Sequence, residues 1–187
     1  MQELSLHVLD LAQNSVAAGA ALVQILVEEN RPEDRLCIAI TDDGRGMTPQ
    51  QVEHASDPFY TTRTTRKVGL GIPFFEMAAK QTGGSFELSS RPGGGTSVKA
   101  AFVPSSIDCL PLGDMAGTLC ALIGCNPEMD FVYTHRVDGR SYTADTREFR
   151  QVLEGVPLSE PAVLAFIRDY ITENSEALYK GDSACER

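Results

Sequence analysis

Leu36-Cys37-Ile38-Ala39-Ile40-Thr41-Asp42-Asp43-Gly44-Arg45-Gly46-Met47 is an apolar strand that runs into two carboxylates and two glycines at alternate positions. Glycines so spaced let a backbone approach a flat ligand closely. An acidic acceptor at the end of a strand can take the proton of an exocyclic amine such as that of adenine. In isolation the segment is equally a plain turn, so its neighbours decide.

Upstream, Leu4 to Ala17 has helical periodicity, with Leu4, Val8, Leu11 and Ser15 on one face and Glu3, His7, Asp10 and Asn14 on another. Gly19 ends this helix, and Ala21 to Glu28 reads as a strand that turns at Asn30-Arg31-Pro32 into the quoted one. Asp10 and Asn14 stack four residues apart, as a carboxylate able to polarise a hydroxyl and an amide oxygen suited to Mg²⁺. Alone, the pair reads first as a solvated helix face. Downstream, Thr48-Pro49 opens a short helix. Val68-Gly69-Leu70-Gly71-Ile72-Pro73 then precedes a helix over Ile72 to Gln81, where free N–H groups and the helix dipole favour phosphate. A Rossmann fingerprint is excluded because Phe74 stands where the third glycine belongs, and no GxxxxGK[ST] loop occurs. Ser85 to Ser89 and Thr96 to Val103 form a hairpin across Arg91-Pro92-Gly93-Gly94-Gly95. Helix, two strands, loop and helix, two strands is an α+β pattern with helices on one face of a sheet.

Asp10/Asn14, Asp42-x-Gly44-x-Gly46, Pro58-Phe59-Tyr60-Thr61-Thr62-Arg63, Gly69-x-Gly71 and Gly94-Gly95-Thr96 follow one another over about 90 residues. This series resembles the ATP-binding domain shared by sensor histidine kinases, Hsp90, DNA gyrase, mismatch-repair MutL and the anti-sigma serine kinases, the GHKL superfamily. Leu9 to Ala20 resembles its N box in MutL-like form, Asp42 to Met47 its G1 box, and Pro58 to Arg63 with Gly69 to Ile72 its F and G2 boxes. The resemblance covers Leu4 to Val103 and implies a two-layer α/β sandwich, the Bergerat ATP-binding fold, over residues 1–104. It implies that Asn14 holds the Mg²⁺ bridging the phosphates and that Asp42 accepts from the adenine amine. Gly44, Gly46 and Met47 would line the base, and Thr96 would close the pocket from the sheet. Gly69, Leu70 and Gly71 would give backbone contacts to phosphate, with Thr61, Thr62, Arg63 and Lys67 on the lid beside it.

Three departures shape the expected chemistry. The hydrolytic members usually carry Glu where this chain has Asp10, shorter by about 1.5 Å of reach, so slow hydrolysis or transfer to a protein hydroxyl is expected. Only six residues separate Thr62 from Gly69, so the lid covers a nucleotide partly. The N box begins almost at Met1, with no dimerising hairpin and phosphoacceptor histidine before it, so a stand-alone ATP-binding protein is expected; His7, inside the helix, reads as a polar neighbour of Asp10.

The 187 residues carry 16 basic and 26 acidic side chains, a net charge of −10, which argues against nucleic-acid or anionic-membrane binding. No apolar run reaches the ~20 residues of a membrane span, and no signal peptide is visible, so a cytoplasmic protein is expected. Five irregularly spaced cysteines without a CxxC pair suggest idle thiols. Pro104-Ser105-Ser106 reads as a linker to a small α+β extension over residues 105–187, which holds −7 of the net charge. Its pattern is a helix over Gly113 to Gly124, a hairpin across Asp138-Gly139, and helices over Thr146 to Leu153 and Ser159 to Tyr170. His135 shares a strand face with Phe131, Tyr133 and Val137 and reads as structural. Two functions are consistent with this chain. One is an Mg·ATP-dependent ATPase or protein kinase acting on a separate protein partner or phosphoacceptor; the other is a non-catalytic ATP-dependent switch.

Overall fold

The structure, a computed structural model, describes residues 3–55 and 70–180. The elements are α1 (Leu4–Ala17), β1 (Leu22–Asn30), β2 (Arg35–Asp42), α2 (Pro49–His54), α3 (Gly71–Gln81), β3 (Ser85–Ser90) and β4 (Thr96–Phe102). Then follow α4 (Met115–Cys125), β5 (Asp130–Val137), β6 (Arg140–Asp145), α5 (Thr146–Val152) and α6 (Pro161–Lys180). The strands form one sheet in the order β3-β4-β2-β1-β5-β6. All neighbours are antiparallel except β1 and β5, which run parallel. Parallel strands need a long crossover; α4 supplies it, carrying the chain from β4 past β2 and β1.

Alternation along each strand selects one buried face. Ile25 pairs with Ile40 and Tyr133, Val27 with Ile38 and His135, Ile40 with Val98, and Leu36 with Phe102. Those side chains are all buried. Residues one step out of phase, such as Gln24, Glu87 and Lys99, point to the exposed face. α1 covers the buried face with Leu4, Val8 and Leu11, α3 with Phe75 and Ala79, α4 with Leu119 and Leu122, and α6 with Ile167 and Ile171. The chain therefore has the α+β, helices-on-sheet architecture read from its sequence.

Local chemistry sets the element ends. Thr48 accepts from the Gln51 N–H while the Gln51 side chain accepts from the Thr48 N–H, a capping box with Pro49 in the first helical position. Asp114 caps α4 through the Gly117 N–H, and Asp145 caps α5 through the Arg147 N–H. α6 differs most from its sequence reading: it begins at Pro161 and runs to Lys180, ten residues past Tyr170, with Ile171 and Leu178 continuing its buried stripe.

The sheet does not stop at the linker. β5 and β6 extend it beside β1, and one hydrophobic cluster contains side chains from both sides of Pro104. The second part also holds the start of α1. The Leu4 and Ser5 N–H groups donate to the carbonyls of Pro111 and Leu112 (2.9 and 2.8 Å), and Thr118 Oγ1 donates to the Ser5 carbonyl. The Leu4 and Ser5 bonds satisfy N–H groups that a helix start leaves without intrahelical partners.

Candidate nucleotide site

The C-terminal half of α1, the end of β2, the β3–β4 turn and the start of α3 converge. Ser15, buried on α1, donates from Oγ to Asp42 Oδ2 at 2.6 Å. Asp42 ends β2, and its Oδ1 accepts the N–H groups of Gly44 (2.9 Å) and Thr96 (3.2 Å). One carboxylate thus ties the helix to the turn and to β4. The adjacent Asp43 serves another element, since its Oδ1 accepts from the N–H groups of Ala21 and Leu22 (2.8 and 2.9 Å) at the start of β1. The structure therefore separates two acids that the sequence leaves side by side.

The turn after β2 lies against the β3–β4 hairpin. Gly93 N–H donates to the Arg45 carbonyl at 2.7 Å, and Met47 N–H donates to Ser90 Oγ at 2.9 Å. Ser90 Oγ in turn donates to the Gly95 carbonyl (2.8 Å) and lies 3.0 Å from Thr96 Oγ1. Gly46, at φ +66°, has no room for a side chain, since a Cβ there would fall 1.9 Å from the Arg91 carbonyl oxygen. Gly95 would place one 1.9 Å from the Asp42 carbonyl oxygen. The sequence reading assigns the glycines of this turn to approach by a ligand. The structure shows that Gly46 and Gly95 are demanded by the chain's own backbone.

Asp10 and Asn14 occupy the same side of α1, and α3 begins against them. A Cβ at Gly71 would lie 3.4 Å from Asp10 Cβ and 3.5 Å from Asn14 Nδ2. Leu70 precedes α3 without a side-chain cap, leaving the first-turn N–H groups uncapped by a side chain. His7, one turn before Asp10, is buried. Its ring packs 5.8 Å from that of Phe75, and its Nδ1 has no hydrogen-bond partner among the described residues. Burial, aided by the positive N-terminus and opposed by Asp10, pushes the His7 pKa down.

Of the sequence-predicted site residues, Asp10, Asn14, Asp42, Gly44, Gly46, Met47, Leu70, Gly71 and Thr96 are thus distributed around α1 and the end of β2. Thr61, Thr62, Arg63, Lys67 and Gly69 lie outside the described residues. Ser15, Asp43 and Ser90 are participants that sequence reasoning misses. Ser15 does leave a signal, a hydroxyl on the apolar face of a helix, which a buried position tolerates only with a partner.

The model of the family described as histidine kinase-, DNA gyrase B- and HSP90-like ATPase matches residues 2–107, more than half of the chain. The chain belongs to that family. Among curated relatives, the sensor protein kinase FleS of Pseudomonas aeruginosa is 35% identical over 89 residues, covering 48% of this chain and 22% of FleS. The sensor histidine kinase ZraS of Salmonella typhi is 33% identical over 88 residues, covering 46% of this chain and 19% of ZraS. The C4-dicarboxylate transport sensor protein DctB of Pseudomonas aeruginosa is 27% identical over 99 residues, covering 52% and 16%. The chain therefore spans less than a quarter of the length of these relatives. Its fold matches the solved N-terminal domain of a DNA repair protein with a TM-score of 0.54 at 16% identity, over 76% of this chain and 52% of that one.

An adenine nucleotide fits the donor set of this site. Asp42 is an acceptor with its Oδ1 filled twice and its Oδ2 filled once. Asn14 offers a hard oxygen of the kind Mg²⁺ takes, and Mg²⁺ keeps several waters and needs few protein ligands. Among the described residues no group of three or more His, Cys, Asp or Glu forms a metal cage. No described helix is long and apolar enough to cross a membrane.

Proposed function

We propose that the chain binds Mg·ATP across α1 and uses it for slow hydrolysis or for phosphoryl transfer to a separate protein. Asp42 accepts from the adenine amine, and Gly44, Gly46, Met47 and Thr96 border the base. Asn14 holds Mg²⁺, which when bound neutralises phosphate charge. Gly69, Leu70 and Gly71 present N–H groups to phosphate, with Thr61, Thr62, Arg63 and Lys67 as its lid partners. Asp10 takes the proton of the attacking hydroxyl, whether of water or of a protein side chain. Phosphoryl transfer needs positioning and charge stabilisation above all, and these residues supply both. The acidic residues 105–187 would face the protein partner, and the reaction would take place in the cytoplasm.

One observation carries this reading. α1 alone brings Asp10 and Asn14 to the start of α3 and, through Ser15, to Asp42. A second reading, an ATP-dependent switch without turnover, draws on Asp10, whose carboxylate is one methylene shorter than the usual Glu. Incubation of the pure protein with γ-labelled ATP and Mg²⁺, with and without cell lysate, distinguishes the two. Released phosphate marks an ATPase, a labelled lysate protein marks a kinase, and bound intact ATP marks a switch. In the catalytic reading Asp10→Ala keeps ATP affinity and loses turnover, whereas Asp42→Ala and Asn14→Ala lose binding. Unchanged ATP affinity in Asp42→Ala overturns the base assignment.

A further inference from the structure

The outer faces of α5 and α6 carry apolar side chains that the core does not take up. Phe149 on α5 is half-buried, and its ring meets those of Phe166 and Tyr170 on α6 edge-on, with centroids 6.4 and 5.5 Å apart. Phe166 is still 54% exposed, and Val152, which neighbours Phe149 one turn on, is 79% exposed. Val156, just past the end of α5, adds a third apolar side chain at 46%. Adjoining exposed apolar side chains mark interaction surfaces. The patch has a fixed base, since Asp145 caps α5 and the Arg150 guanidinium donates to the Pro127 and Met129 carbonyls at 2.7 and 2.8 Å.

Charge around this patch has one sign. Every basic side chain of the two helices is engaged within the chain: Arg147 with Asp145 (2.6 Å), Arg168 with Asp114 (2.8 Å), Lys180 with Glu176 (2.9 Å) and Arg150 with the two carbonyls. The acids beside the patch are not. Glu148 stands one turn before Val152, and Asp169 and Glu173 follow Phe166 at three and seven residues on the same face of α6. All three are exposed and form no ion pair among the described residues. An apolar strip flanked by free carboxylates repels both a second copy of itself and an anionic lipid surface, and it attracts cations. We propose that this face docks a basic amphipathic helix of another protein. The apolar side chains of that helix would seat on Phe166 and Val152, and its lysines or arginines would lie beside Glu148, Asp169 and Glu173. The inference rests on the reading that residues 105–187 face a protein partner, and it needs no nucleotide.

The probe is a fluorescent peptide of about five helical turns built from leucine and lysine alone, with its leucine–glutamate counterpart as the comparison. Anisotropy is read with the full chain and without nucleotide. The wild type should bind the lysine peptide about tenfold or more tightly than the glutamate peptide. Phe166→Asp and Val152→Asp should each weaken the lysine peptide by about tenfold or more. Each adds a negative charge that would otherwise attract the probe, so weakening reads the apolar contact. Urea midpoints measured in parallel show that both variants are folded. Asp169→Lys combined with Glu173→Lys should weaken binding more than Glu33→Lys combined with Asp108→Lys, an equal change of charge at exposed positions elsewhere. Equal effects of the two reversals, equal affinity for the two peptides, unchanged affinity in both Asp variants, or no binding to the wild type overturns the proposal. So does a dimer of the chain, or adsorption to phosphatidylglycerol vesicles, that Phe166→Asp abolishes, because a second copy or a lipid surface then covers the face. Failure of the underlying reading looks different: labelled ATP then marks no lysate protein, while the peptide still binds this face.

Discussion

Glu29 on β1 and His135 on β5 are diagonal neighbours across the parallel ladder, with 2.9 Å between Oε1 and Nε2 and the imidazole 98% removed from solvent. Tyr179, near the end of α6, donates to the same carboxylate oxygen. One carboxylate therefore joins the first half of the chain, the strand added by the second half, and the last helix. Burial pushes the Glu29 pKa up, but the hydrogen bonds of His135 and Tyr179 and the charge of Arg31 outweigh it, and the net shift is downward.

A carboxylate with a lowered native pKa contributes stability that is complete above its unfolded value, 4.5, and is lost as pH falls through the lowered one. Glu29→Gln is expected to cost about 1–3 kcal/mol at pH 7. Urea unfolding followed from pH 7 to pH 3 should show the gap between the two proteins closing only below pH 4.5. A constant gap would mean that Glu29 acts through packing alone.

His7 yields the opposite kind of titration. Its pKa is lowered from 6.5 by burial against Phe75, so the fold favours the neutral ring. Between 6.5 and the lowered native value the unfolded chain binds more protons, and stability falls as pH falls. His7→Leu, close in volume and without a titrating group, should lose less stability than the wild type between pH 7 and pH 5. Parallel slopes in the two proteins would place the imidazole in contact with water.

The first hundred residues announce most of this fold because their signals are local. Alternation in Leu36 to Thr41, the Thr48-Pro49 start and the Gly83-Gly84 stop each sit within a few residues of the structure they specify. The site is partly legible for the same reason, since Asp10 and Asn14 share a helix face and Asp42 ends a strand. Ser15 and Ser90 are not, because each acts on a residue from a distant element, Ser15 on Asp42 across 27 positions and Ser90 on Met47 across 43. The pairing of β1 with β5 joins strands about a hundred residues apart, and no pattern within either strand names its neighbour. The sequence reads α6 too short because Thr172, Glu173 and Asn174 interrupt an apolar stripe that resumes at Leu178.

Gly46 and Gly93 separate two reasons for a glycine. Both adopt left-handed backbone, φ +66° and +70°, but a Cβ at Gly46 would fall 1.9 Å from a carbonyl oxygen, whereas none of the atoms around Gly93 lies within 4 Å. Gly93→Ala is expected to cost about 1–2 kcal/mol, the strain of the conformation alone. Gly46→Ala adds displacement of the Arg91 backbone and should cost more than about 3 kcal/mol. Urea midpoints of the two variants check the order. Equal costs would show that the hairpin moves aside freely, and with it the Thr96 N–H that holds Asp42.

The family match ends at residue 107, close to the Pro104 linker, which invites separate expression of residues 1–104. The sheet argues against independent folding of that fragment. β1 pairs with β5 from Leu22 to Glu29, so removal of the second part bares a central edge along with the side chains of Val23, Ile25 and Val27. Leu119, Leu122, Phe131, Tyr133, Ile167 and Ile171, each 1% exposed or less, leave the core together. At about 1.5–3 kcal/mol for each buried side chain, their loss is comparable with the ~5–15 kcal/mol that holds a whole domain. The Leu4 and Ser5 N–H groups also lose the Pro111 and Leu112 carbonyls, which loosens the start of the helix that carries Asp10 and Asn14. The fragment should show no cooperative urea transition and should bind a hydrophobic dye, while the full chain unfolds cooperatively. A cooperative transition in the fragment would mean that α3 and the β3–β4 hairpin stabilise α1 without help, and the second part would then be an attachment to the ATPase fold rather than half of its core.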